Sequence, residues 1–60
     1  MPHEELLEHH KNMARPILRL KVYELIEMYG AEYTLGYLKF ARKKQCSLVG
    51  GELIFVKEAK

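Results

Sequence analysis

The chain has 60 residues, 48% of them apolar and 30% charged, with one Cys, no Trp and a formal charge of +2 at pH 7. A domain this small buries only about 60% of its unfolded surface, so it depends on good packing, a staple or a partner. One Cys excludes an internal disulfide framework, no Cys/His spacing builds a structural zinc site, and no apolar run approaches the ~18 residues of a membrane span.

The small net charge conceals segregation. Glu4, Glu5 and Glu8 make the first ten residues acidic, and Lys11, Arg15, Arg19 and Lys21 make the next block basic. Glu24, Glu27 and Glu32 reverse the sign again. Residues 34–51 then carry Lys39, Arg42, Lys43 and Lys44 with no acid among them. Neither a repeat nor a linker divides the chain, so one domain is expected over residues 1–60. No charged-then-apolar leader is visible, and with the lone thiol this leads to the expectation of a cytoplasmic protein.

In chain order, Pro2 suits the start of a helix over about residues 2–13, with Glu4, Glu5 and Glu8 near its positive end. Leu6, Leu7 and His10 or Met13 are expected to face inward. Pro16 does not sit inside a long helix and is expected to open a second one, over about residues 16–29. Leu18, Val22, Leu25 and Tyr29 recur at helical spacing there, with Ile26 alongside, and Gly30 fits the C-terminal cap.

The next stretch reads two ways. Thr34 can cap a third helix over about residues 34–45, with Leu35, Tyr37, Leu38, Phe40 and Ala41 on a broad apolar side. Against it, Tyr, Thr and Phe favour strands, and Gly36 weakens a helix by up to ~1 kcal/mol relative to Ala. Gly50-Gly51 between two apolar runs then signals a hairpin over about residues 46–56. A two-residue loop pairs Val49 with Glu52, Leu48 with Leu53, Ser47 with Ile54 and Cys46 with Phe55. Cys46, Leu48, Leu53 and Phe55 therefore share one apolar face.

The expected class is α+β, mainly α: three short helices followed by a C-terminal β-hairpin. This order resembles a minimal winged-helix or Cro-like arrangement, a likeness of architecture alone. If residues 33–41 are a strand instead, the alternative is a two-helix hairpin packed on a three-stranded β-meander.

Catalytic and metal chemistry find little support. Glu5 and His9 lie one helical turn apart, yet Leu7 stands where a zincin of the His-Glu-x-x-His type would need its second His. Cys46 sits far in sequence from every His and reads as a core thiol. There is no Asp, no Ser-His arrangement and no phosphate-cradling glycine loop, so no enzyme, cofactor or metal is expected. The basic third helix carries the functional expectation. Lys39, Arg42 and Lys43 fall within about 100° of helical arc, with Thr34 and Gln45 nearby as hydrogen-bonding groups. Such a strip neutralises phosphates and can reach guanine edges, with Tyr33 and Tyr37 as further phosphate donors and Lys11, Arg15 and Arg19 as flanking contacts. The leading expectation is a homodimeric, helix-turn-helix-like regulator of transcription that binds duplex DNA, joined through Ile54 and Val56 on the second face of the hairpin. The competing one is a protein-interaction module, an adaptor or inhibitor that docks on a larger partner through that hairpin. A membrane role is not expected.

Overall fold

The computed structural model describes residues 2–57. Its first helix, α1 (His3–Met13), starts behind an extended Pro2 and places Glu4 and Glu5 in its first turn. There they favour the positive end of the helix dipole. Leu6, Leu7 and His10 point inward and are buried, whereas Met13 is exposed. The chain then leaves Pro16 as a strand, β1 (Ile17–Lys21), rather than as the first turns of a second helix. Leu18 and Leu20 are half-buried while Ile17, Arg19 and Lys21 are exposed, a period of two that outweighs the helical spacing beginning at Leu18. The expected helix over 16–29 is thereby shortened to α2 (Val22–Tyr29), which buries Leu25.

One residue separates α2 from α3 (Ala31–Lys43). Gly30 takes φ 88°, and it closes one helix and opens the next. Its N–H donates to the Ile26 carbonyl at 2.8 Å, and its own carbonyl accepts the Thr34 N–H at 3.0 Å. A side chain at this positive φ would be strained, which explains the glycine. Because Gly30 does the capping, α3 begins three residues before the expected cap at Thr34. Residues 33–41 are helical throughout, so the meander alternative built on a strand there is excluded.

Strands β2 (Ser47–Val49) and β3 (Glu52–Val56) form the expected hairpin, with Ser47 opposite Ile54, Leu48 opposite Leu53 and Val49 opposite Glu52. Gly50 and Gly51 both take positive φ at its tip. The sheet has the order β1-β3-β2 and is antiparallel, so the last strand is the central one. Two hydrogen bonds clamp the ends of the β1–β3 pair: Val22 N–H to the Gly51 carbonyl at 2.9 Å, and Lys57 N–H to the Pro16 carbonyl at 2.8 Å. The α+β class and the winged-helix-like order stand, with β1 inserted between the first two helices.

The inner sheet face supplies Leu53 and Phe55 to a core completed by Leu6, Leu7, Ala14, Leu25, Tyr37 and Ala41. Inside it lies a polar pair. The Tyr37 hydroxyl is 2.6 Å from His10 Nδ1, and the His10 ring also meets Phe55 at 5.1 Å between centroids. Burial, with His9 adjacent, holds the His10 imidazole down at about 4 from its usual 6.5. Burial likewise pushes the Tyr37 phenol up, so it keeps its proton. At neutral pH the pair is uncharged and satisfied, which is what makes it tolerable in a core.

Gly36 is the second close contact of α1 on α3. A Cβ there would stand 2.9 Å from Cε1 of His3, whose ring packs edge-on against Tyr33 at 4.8 Å between centroids. The glycine that weakens α3 as a helix is what lets the start of α1 lie against it.

Two predictions follow from these contacts. The unfolded state takes up the His10 proton near pH 6.5 and the folded state only near pH 4. Stability is therefore fully present above about pH 6.5 and falls on acidification to pH 4, by on the order of 2 kcal/mol. Urea unfolding across that range should show the loss in the wild type and a flatter profile in His10→Gln; parallel profiles would contradict the assignment. Gly36→Ala should stabilise the wild type less than it stabilises a chain without the His3 ring, because the packed imidazole must first swing aside. In a His3→Ala background the same change should stabilise by up to about 1 kcal/mol, the helix-propensity gain alone. Equal effects in the two backgrounds would separate Gly36 from His3.

Candidate nucleic-acid interface

The outward side of α3 has two halves. Towards its N-terminus lie exposed Glu32 and Leu35, the latter 62% exposed. Towards its C-terminus Lys39, Arg42 and Lys43 follow at helical spacing, all exposed, and together line one shallow depression with no carboxylate from the described residues. The cationic strip expected from the sequence is thus present, confined to the last turns of the helix.

The end of α3 is built to hold cations. Lys44 N–H donates to the Phe40 and Ala41 carbonyls at 3.2 and 3.0 Å, and Cys46 N–H donates to Ala41 at 3.0 Å. Gln45 N–H reaches the Arg42 carbonyl at 3.1 Å, with Gln45 itself in the left-handed region at φ 67°. These bonds satisfy the Phe40, Ala41 and Arg42 carbonyls, three of the four that a helix leaves unpaired at its C-terminus, and the adjacent cations complement the negative pole of its dipole.

Several expected contacts are not brought to this surface. Thr34 is 1% exposed, because α3 starts early and turns it into the core, where its Oγ1 has no partner among the described residues. Buried there, Thr34 does not reach a nucleic acid, contrary to the expectation from sequence. Tyr37 is fully buried with its hydroxyl committed to His10, and the Tyr33 hydroxyl is buried as well, so neither supplies a phosphate donor. Gln45 is exposed and stays a candidate. Arg15 and Arg19 are exposed too, Arg19 on the outer face of the sheet opposite Ile54.

Ile54 and Val56, expected at a dimer interface, are half-buried and exposed respectively. They share a groove with Lys11, Lys44, Gln45 and Cys46. This grouping joins α1, the end of α3 and the hairpin. In sequence Lys44 stands out only as part of a charge block, and Lys11 only as part of another and as a flanking contact. Burial pushes the Cys46 thiol up, and nearby Lys11 only partly opposes this, so the thiol is not primed as a nucleophile. The hairpin tip does not project as a wing, because Gly51 is tied to the start of α2.

Glu5 and His9 sit in an exposed depression on α1 with Glu4 and Glu8. Among the described residues no group of three or more His, Cys, Asp or Glu side chains is placed to hold a metal ion. None of the described helices is long and apolar enough to cross a membrane.

No family model, no curated protein and no solved structure matches this chain. Its site is therefore read from its own chemistry.

The left-handed backbone at position 45 generates a prediction. Gln45→Gly should raise stability by up to about 1 kcal/mol, because glycine adopts this conformation without the side-chain penalty. A higher urea midpoint with unchanged slope would show it; a lower midpoint would mean that the Gln45 side chain contributes more than its backbone costs.

Proposed function

We propose that this protein binds duplex DNA, without catalysing a reaction on it, through the cationic last turns of α3, and that it acts as a small regulator. The observation that carries the reading is the convergence of Lys39, Arg42 and Lys43 in one exposed depression that no carboxylate of the described residues lines. Each cation brought to a phosphate releases condensed counterions, which is the main source of affinity for a surface of this kind. Arg42 adds a planar fork able to take two phosphate oxygens or the O6 and N7 atoms of guanine. Glu32 on the outward side of the first turn disfavours insertion of α3 by its N-terminus. The helix approaches by its C-terminal turns, and phosphates dominate over base edges.

A second reading rests on the sheet edge. All three residues of β2 are exposed, and β2 is an edge strand with free backbone groups along one side. An extended segment of a larger protein partner could add to it as a fourth strand.

Fluorescence anisotropy with a labelled duplex discriminates the two. The wild type should bind at ~50 mM salt, and Lys39→Ala and Arg42→Ala should each weaken binding several-fold and reduce the salt slope by about one. Binding should be insensitive to Val49→Lys on β2. Absence of binding at that salt concentration refutes the DNA reading. A protein partner lost on Val49→Lys and retained in Lys39→Ala would establish the second.

A further inference from the structure

The α3 strip leaves a second set of cations unused. Lys11 from the last turn of α1 and Lys44 and Gln45 from the end of α3 line a groove of about 190 Å³. Ile54 and Val56 of β3 line it with them. On either side of Ile54 its cross-strand partners are Arg19 of β1 and Ser47 of β2. Among the described residues no carboxylate lines the groove, and the acidic face of α1, with Glu4, Glu5 and Glu8, belongs to a separate depression.

Three features favour one kind of occupant. The Phe40, Ala41 and Arg42 carbonyls at the end of α3 already accept backbone N–H groups, so they do not call on the Lys44 and Gln45 side chains. Lys44 and Gln45 directly follow Arg42 and Lys43 in the chain, so both sets of cations belong to the same end of α3. Ile54 and Val56 supply apolar contact beside the charges, which suits the carbon edge of a sugar next to a phosphate. A second copy presenting the same face would set Lys11, Arg19 and Lys44 against their own like charges, which weighs against joining two chains here.

We infer that this groove is a second phosphate seat, holding the sugar-phosphate backbone of the duplex engaged by α3. The inference rests on the DNA reading above and extends it. Lys11 and Lys44 neutralise one phosphodiester, the Gln45 amide donates to its oxygen, and Ile54 and Val56 meet the adjoining sugar. Contacts of this kind fix the position of a duplex and carry no sequence preference. Holding Gln45 in a left-handed conformation where glycine is the easier choice fits a side chain kept for contact.

Cys46 lines the same groove and is the only thiol in the chain, so its alkylation reports on occupancy. The test combines N-ethylmaleimide labelling, read by mass, with anisotropy titrations of Lys11→Gln, Lys44→Gln and the double variant. Duplex at saturation should slow labelling of the wild type at least about fivefold, and salt that dissociates the complex should restore it. The double variant should bind about tenfold more weakly at 0.1 M salt on any sequence, with a salt slope lower by about two. At saturating duplex its Cys46 should no longer be protected. Wild-type affinity and slope in the double variant overturn the inference and leave the α3 reading standing. Persisting protection in the double variant overturns it equally, because protection would then come from stabilisation of the fold. Protection by an acidic peptide and not by duplex assigns the groove to a protein and overturns it too. A wild type that binds no duplex at ~50 mM salt removes both readings.

Discussion

The antiparallel pairing of β1 with β3 is the constraint on which the rest of the structure depends. It joins residues 17–21 to residues 52–56, and its ends are closed by bonds from Val22 to Gly51 and from Lys57 to Pro16. Once β3 is fixed, Leu53 and Phe55 face the helices and β2 follows through a two-glycine turn. The same pairing sets the outer face, where Arg19 meets Ile54 beside the Lys11–Lys44 groove. Core and cationic surface are therefore two sides of one register, and a slip of one residue would exchange them.

Against this sheet α1 and α3 pack through buried Leu6, Leu7, Tyr37 and Ala41, and one internal hydrogen bond directs the contact. A domain of 60 residues has little apolar area to spend, and a hydrogen bond inside its core makes one packing of the two helices better than its neighbours. His10 and Tyr37 fix the middle of the contact, and His3 over Gly36 fixes its start. The arrangement depends on a neutral imidazole. Specificity of packing is obtained at the expense of stability in acid.

Much of this was legible in the sequence, for local reasons. The hairpin register followed from Gly50-Gly51 alone, because a two-residue turn leaves one way to pair its flanks. The inward side of α1 followed from Leu6, Leu7 and His10. β1 was not legible, since Leu18, Val22 and Leu25 satisfy helical spacing as well as Leu18 and Leu20 satisfy alternation; the pairing with β3, some 35 residues away in sequence, decided between them. Thr34 was misplaced because Gly30 ends one helix and begins the next, which moved α3 forward and turned the hydroxyl inward. The Lys39–Arg42–Lys43 strip needed only a helical period to be seen. The Lys11–Lys44 groove needed the tertiary fold, since nothing near either residue announces the other.

The strand order also bears on how the molecule comes into being. The central strand is the last of the three described strands, so β1 and β2 have no neighbour to pair with until β3 exists. During synthesis α2 and α3 can pack locally, while Leu18 and Leu20 wait without a sheet. The chain is thus exposed to wrong associations for as long as its final strand is missing, and joining its ends requires closure of a long loop. Loss of a few residues from β3 would remove the centre of the sheet and not its margin, so damage at that end of the chain should abolish folding where an equal loss from an edge strand would only weaken it.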